Sequence, residues 1–218
     1  MARVLCLHGL GGTGRTMWPL VAALSSVRHT AFAPTLPGHG SVPDDLLTVR
    51  WSDWVAAALE WPCDVVVGQS LGGALALAVA AEGRCSGVVA VNAVPPDPDA
   101  VDGVEWRRSR GHEWLEDWPT FPGETAYSRL PLHAVEEMAR GAMGIDLRAV
   151  TQPVLLVNSA HDAVVDPASA DVIAAALGAR PNRLVLPLGG HVATLDDDSA
   201  TLTAAVTTFV DSLAASRR

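Results

Sequence analysis

The sequence predicts an α/β fold, a mostly parallel six-stranded sheet with helices on both faces. Three observations carry that prediction. Short runs of β-branched and apolar residues alternate with longer stretches of helical periodicity. The short runs are apolar almost throughout, as strands covered on both faces should be. The longer stretches each carry one apolar stripe at three-and-four spacing, the mark of a helix lying on a sheet.

Taken along the chain, the strands are expected at Val4–Leu7, Ala31–Thr35, Asp64–Val67, Gly87–Val91, Val154–Val157 and Leu184–Leu186. Trp51, Trp54, Val55, Ala58 and Leu59 form one packing face, and a helix-prone run from Ala74 to Ala80 follows the third strand. The rhythm breaks between about Pro95 and Val150, where Pro95-Pro96-Asp97-Pro98-Asp99 opens a segment rich in tryptophan and arginine. Connections in such folds usually take two to six residues or one helix, so residues 95–150 read as a helical lid inserted into a single domain spanning 1–218. A last helix is expected on Leu202, Val206, Phe209, Val210 and Leu213, finishing near Arg217 and Arg218. Asp196, Asp197 and Asp198 suit its positive N-terminal end and read as a cap, not as a metal site.

Composition narrows the function classes. The 218 residues carry 15 Lys+Arg against 24 Asp+Glu, a formal charge of −9. That balance opposes binding to nucleic acid or to an anionic membrane, both of which need a basic surface. The weakly polar run from Leu71 to Ala81 is well short of the roughly 20 residues that span a bilayer. Cys6, Cys63 and Cys85 are odd in number and embedded in apolar segments, so they read as buried reduced thiols. With no signal-peptide pattern ahead of Val4, the expected location is the cytoplasm. Oligomeric state is not legible.

The turn after the first strand, Gly9-Leu10-Gly11-Gly12-Thr13-Gly14-Arg15-Thr16, fits three patterns. As Gly9-x-Gly11-x-x-Gly14 it matches a dinucleotide fingerprint, but the second strand ends Ala33-Pro34-Thr35 without the acidic residue that binds the ribose. As a Walker A loop it has Arg15 where the phosphate-binding lysine belongs. In the third reading, His8-Gly9-Leu10-Gly11-Gly12 presents backbone N–H groups to a developing oxyanion.

The third strand decides for that reading. It runs into Gly68-Gln69-Ser70-Leu71-Gly72, a Gly-x-Ser-x-Gly in strand-turn-helix context, which holds a serine in a tight turn at the carboxyl edge of a sheet. A free serine is a poor nucleophile and needs a base downstream. Of the seven histidines, His191 stands in a glycine-rich loop after the last strand. The carboxylate that fixes the histidine tautomer is assigned to Asp162, after the fifth strand, with Asp97 and Asp99 as outside candidates. The catalytic order along the chain is then Ser70, Asp162, His191.

With these motifs in order, the sequence resembles the α/β-hydrolase superfamily, as a small serine carboxylesterase-like member with a short lid. Pro34-Thr35-Leu36-Pro37-Gly38-His39-Gly40 is similar to the family's turn after the next strand, with Thr35 where aspartate is usual. The resemblance covers about Arg3 to Val94 and Pro153 to Leu213 and leaves the lid uncovered. The chain starts at the His-Gly strand, so it implies a compact form without the two leading strands of larger members. It also implies an oxyanion hole from the N–H groups of Leu10 and Leu71, and structural roles for His8 and His39.

The reaction expected is acyl transfer to Ser70 and on to water, on a small-molecule ester, thioester or lactone, with no metal and no organic cofactor. Serine at the elbow argues against the epoxide-hydrolase and dehalogenase branches, which carry aspartate there. Trp106, Trp114, Trp118, Phe121 and Met138 are candidates to wall an apolar acyl pocket, or else dock the lid to the core. Arg107, Arg108 and Arg110 read as a solvated helix face. Two rivals come from other classes. One is a cofactor-free carbon–carbon bond hydrolase, and the other a hydrolase-fold ligand-binding protein with little turnover.

Overall fold

The apolar runs form one six-stranded sheet. In the computed structural model, which describes residues 1–215, the chain runs β1 (Arg3–Leu7), α1 (Trp18–Ser26), β2 (Thr30–Phe32), α2 (Trp51–Leu59), β3 (Val65–Gln69), α3 (Leu71–Ala81) and β4 (Gly87–Val91). It continues through α4 (Pro98–Ser109), β5 (Trp114–Leu115), β6 (Leu130–Pro131), α5 (Leu132–Met143), β7 (Val154–Ser159), α6 (Ser169–Ala176), β8 (Asn182–Leu186) and α7 (Ser199–Ala215). The order across the sheet is β2-β1-β3-β4-β7-β8, and every neighbouring pair is parallel. The expected end of the last helix at Arg217 and Arg218 lies outside the described residues.

Period-two alternation assigns each strand residue to a layer. Leu5, Leu7, Val66, Val88, Ala90 and Leu156 point to one face and pack with Trp54 of α2, Leu75 of α3 and Ile173 of α6. Val4, Cys6, Val65, Val67, Val89 and Val157 point to the other and pack with Leu20 and Leu24 of α1 and Leu202, Val206 and Phe209 of α7. From Leu71 to Ala80, α3 is buried on every side, which explains why its sequence shows no polar stripe. The second strand stops at Phe32, earlier than expected, because Pro34 has no N–H to offer the ladder. All three cysteines are buried and free.

Between β4 and β7 lie two helices and a small antiparallel pair, β5 with β6, in place of an all-helical segment. The inner face of α5 joins the main core through Ala134, with Val135 and Met138 against it. Its outer face carries Glu136, which bonds Arg108 of α4 and Arg140 one turn on, while Arg140 also reaches Glu105. No helix among the described residues is long and apolar enough to cross a membrane.

Strand order also locates the functional edge. From β1 the chain moves outward to β2 and then returns to place β3 on the other side of β1. Beyond the carboxyl ends of β1 and β3 the two connections diverge, leaving the crevice in which open α/β sheets bind ligands. His8 follows β1 and Ser70 follows β3.

Candidate active site

Ser70 adopts φ 57° and ψ −120°, a conformation that L-residues seldom take and that costs of the order of 1–3 kcal/mol. Its neighbours hold it there. Its N–H donates to the Val91 carbonyl of β4 at 2.9 Å, and its carbonyl accepts from Gly73 at 2.9 Å and Ala74 at 3.2 Å to begin α3. At Gly72 the helix presses on β1, and a Cβ there would lie 2.1 Å from the Leu7 carbonyl oxygen. Neither backbone can yield without prising α3 from the sheet. Gly72→Ala is therefore expected to cost about 3 kcal/mol or more, read as a fall in the urea midpoint.

The turn after β1 lies against this elbow. A Cβ on Gly9 would be 3.3 Å from Ser70 Cβ and 3.7 Å from its Oγ, a tight approach that glycine makes without displacing the serine. Leu10 follows, and the turn closes with the Gly12 N–H donating to the Gly9 carbonyl at 3.1 Å. Leu71 opens α3, where the helix dipole places partial positive charge. The glycine spacing that mimics phosphate-binding motifs has a packing cause at Gly14. A Cβ there would lie 2.3 Å from the Ala33 carbonyl, and its N–H donates to Thr35 Oγ1 at 3.2 Å.

His8 and His39 brace these turns. His8 Nδ1–H donates to the Gly9 carbonyl at 2.8 Å and its Nε2 accepts from the Leu36 N–H at 2.9 Å, which needs a neutral ring. His39 Nδ1–H donates to the Pro37 carbonyl at 2.9 Å, and the two rings meet edge to face with centroids 4.9 Å apart. Burial pushes His8 down to about 3, helped by His39, and pushes His39 down to about 4, both from an ordinary 6.5. Between those values and 6.5 the unfolded chain binds more protons than the folded one. Stability should therefore drop as the pH falls below about 6.5, by up to about 1.4 kcal/mol per pH unit for each histidine. Urea midpoints between pH 7.5 and 4.5 should show this slope, and His39→Gln should reduce it.

Asp162 and His191 come from loops 29 residues apart in sequence and meet in the interior. His191 Nδ1–H donates to Asp162 Oδ2 at 2.9 Å, with Oδ1 at 3.0 Å, and the side chains are 7% and 1% exposed. Asp162 Oδ1 also accepts from the N–H groups of Val164 and Val165 at 2.8 and 2.9 Å, which fixes the carboxylate plane. Asp97, by contrast, caps α4 by accepting the Asp99 N–H. No hydrogen bond joins Ser70 Oγ to His191 among the described residues.

The acidic run stands directly before α7, where the Asp198 carbonyl accepts the Leu202 N–H, and its side chains also serve the histidine loop. Asp198 Oδ2 accepts from Leu188 and Gly189 N–H at 2.7 and 2.8 Å, and Asp196 Oδ2 accepts from Gly190 N–H at 2.9 Å. The side chains turn back to the loop because its amides have no strand to pair with after Leu186.

Of the five apolar candidates in residues 95–150, Phe121 is near the site, its ring 6.0 Å from that of His191. With Leu188, Val192 and Leu195 it lines a cavity of about 280 Å³ beside His191. Trp118 and Met138 pack on the main core. Trp114 lies under the Arg129 guanidinium at 4.2 Å, and Trp106 is 55% exposed with Arg110 over its ring at 4.3 Å. Arg107 donates to the Gly103 carbonyl in its own helix.

Two residues that sequence reasoning passed over also reach the edge. Tyr127 N–H donates to the Gly11 carbonyl at 2.9 Å and its hydroxyl to the Gly38 carbonyl at 3.1 Å, tying residues 118–128 across both turns. Glu124 places its carboxylate over Gly12, where a Cβ would be 3.4 Å from Oε1. Burial holds Glu124 above the ordinary carboxylate value, against the pull of nearby His191. A lone glutamate and a lone tyrosine in irregular chain give no local signal. Among the described residues, no group of three or more His, Cys, Asp or Glu side chains is placed to hold a metal ion.

Comparison with known proteins gives consistent results. The profile of the alpha/beta hydrolase family matches residues 4–205. The thermostable monoacylglycerol lipase of Bacillus sp. strain H-257 is 31% identical over 214 residues, covering 89% of this chain and 84% of that protein. A solved structure from the metagenome-derived lipolytic enzymes LipS and LipT superposes with a TM-score of 0.86 at 28% identity, over 96% of this chain and 93% of that one. The monoacylglycerol lipase of Paleococcus ferrophilus shares the fold, with a TM-score of 0.74 at 16% identity over 97% and 94% of the two chains.

Proposed function

The chain belongs to the alpha/beta hydrolase family, and on that premise we propose that it is a serine hydrolase cleaving small carboxylic esters through an acyl-enzyme on Ser70. Thioesters and lactones fall within the same carbonyl chemistry. The observation that carries this reading is the buried pair of His191 and Asp162. A polar pair taken out of water adds little net stability, and apolar packing would serve the core at least as well. What the pair supplies is a fixed tautomer: with Nδ1–H held by Asp162, the Nε2 lone pair is free to act as a base.

In the proposed course, Ser70 Oγ attacks the ester carbonyl carbon while His191 Nε2 takes the hydroxyl proton. The carbonyl oxygen becomes an oxyanion between the N–H groups of Leu10 and Leu71, each such donor contributing about 2.7 to 4 kcal/mol in the transition state. As the tetrahedral intermediate collapses, His191 passes its proton to the departing alcohol. Water, deprotonated by the same imidazole, then releases the acid. The serine–histidine contact is expected to tighten when substrate is bound, as catalytic hydrogen bonds often do.

Residues 95–150 act in this reading as a lid, with Phe121 and the cavity beside His191 offering apolar surface to the substrate. The 31% identical relative is a monoacylglycerol lipase, which supports placing a fatty acyl ester of glycerol among the first substrates to assay. The test is pre-steady-state kinetics with p-nitrophenyl acetate and butyrate. A burst of p-nitrophenol near one equivalent of enzyme, followed by slower turnover, is expected. Absence of both burst and turnover would reject the proposal.

A further inference from the structure

One buried side chain touches the chain segments that carry both the acid and the base, and the mechanism above leaves it without a role. Asn92 follows β4, is 4% exposed, and adopts φ 46°. Asparagine takes this left-handed conformation more readily than other non-glycine residues. Its backbone N–H donates to the Val157 carbonyl of β7 at 2.9 Å, one residue after Val91 accepts the Ser70 N–H.

Its side chain spans the gap between two loops. Oδ1 accepts from the Ser159 N–H at 2.8 Å, at the end of β7 from which the Asp162 loop departs. Nδ2 donates to Ser159 Oγ at 3.0 Å, to the Gly190 carbonyl at 3.2 Å and to the His191 carbonyl at 2.9 Å. Asp196 and Asp198 hold the amides of residues 188–190, ahead of the histidine. Asn92 alone among these three grips the carbonyl of His191 itself. The amide is suited to this task, since it presents donor and acceptor together to groups that a carboxylate or hydroxyl would satisfy only in part.

We infer that Asn92 is a positioning residue, setting the His191 imidazole relative to both Asp162 and the Ser70 elbow by clamping the acid and histidine loops to the end of β4. The inference rests on the proposed roles of Ser70, His191 and Asp162. Removing the side chain leaves the strand in place but frees the histidine peptide to drift, and a misplacement of about 1 Å can cost on the order of 100-fold in rate. The loss should fall on kcat, because Asn92 lies behind the reacting groups and not in the acyl pocket.

The experiment compares Asn92→Gly, which tolerates the left-handed backbone, with wild type and with Val89→Ala, a core truncation in the strand that Asn92 follows. Asn92→Gly should lower kcat for p-nitrophenyl butyrate by about 10- to 100-fold with KM changed less than about threefold. Val89→Ala should lose thermal stability yet keep kcat within about threefold of wild type. In proton NMR, the downfield His191 Nδ1–H signal, assigned by its loss in His191→Ala, should shift or broaden in Asn92→Gly. A kcat in Asn92→Gly matching that of Val89→Ala, or a loss confined to KM, would overturn the inference. Should Asn92→Gly fail to fold, Asn92→Asp is read the same way, since it keeps the acceptor for Ser159 N–H and replaces the donor. If wild type itself turns over no ester, the proposed function has failed. The NMR signal then decides alone, an unchanged resonance overturning the positioning role and a shifted one upholding it.

Discussion

Ser70→Ala is expected to lower kcat for p-nitrophenyl butyrate by about 10⁶-fold and to abolish the burst, while leaving the thermal midpoint within a few degrees of wild type. The substitution removes one oxygen from a residue whose structural duties are all backbone: its N–H to Val91, its carbonyl to Gly73 and Ala74. Ser70 Oγ makes no hydrogen bond among the described residues, so the fold does not depend on it. Any residual rate would come from the oxyanion donors and from substrate binding, which persist without the nucleophile. If the variant kept more than about a thousandth of wild-type kcat, the acyl-enzyme proposal would be wrong. The elbow would then be a structural turn with a serine in it.

Asp162→Asn should lower kcat by about 10⁴-fold with little change in KM. An asparagine at this position can still accept the N–H groups of Val164 and Val165 through its carbonyl oxygen, so the loop should keep its course. Its amide, however, would face His191 Nδ1 as a donor. The imidazole would have to accept there and carry its proton on Nε2, where a lone pair is needed to deprotonate Ser70. A variant with near-normal kcat would show that the carboxylate serves packing alone. Thermal melts alongside the kinetics separate a lost tautomer from a lost fold.

Much of the fold was legible because its signals are local. A strand covered on both faces must be largely apolar, and the runs of β1, β3, β4 and β7 are so composed and buried, whereas the edge strands β2 and β8 are partly exposed and show only short apolar runs. The elbow was equally local, since a serine between strand and helix at that spacing needs the small residue that Gly72 supplies against β1. Where local rules compete, the reading was coarser. Residues 95–150 were expected as a helical insertion, yet Trp114–Leu115 and Leu130–Pro131 pair as strands, a contact bridged by chain with no periodicity of its own. The acidic run at 196–198 satisfies a helix-start rule, but that rule does not show its second duty of accepting from the amides of the histidine loop.

The sequence by itself determined the layered sheet, the turn that carries Ser70, and membership among proteins that carry such turns, because each depends on neighbours within a few residues. Tertiary structure decided which aspartate reaches His191, what holds the histidine loop, and which residues between β4 and β7 overlie the edge. Asp97 and Asp162 both follow strands and both look suited to bond a histidine, but β7 lies beside β8 in the sheet, which brings the loop of Asp162 against that of His191. Asn92, Glu124 and Tyr127 carry no motif at all. The Ser159, Gly190 and His191 partners of the Asn92 side chain lie 67, 98 and 99 positions away and the Gly38 partner of Tyr127 lies 89 away, and only folding the sheet brings such groups within hydrogen-bond reach.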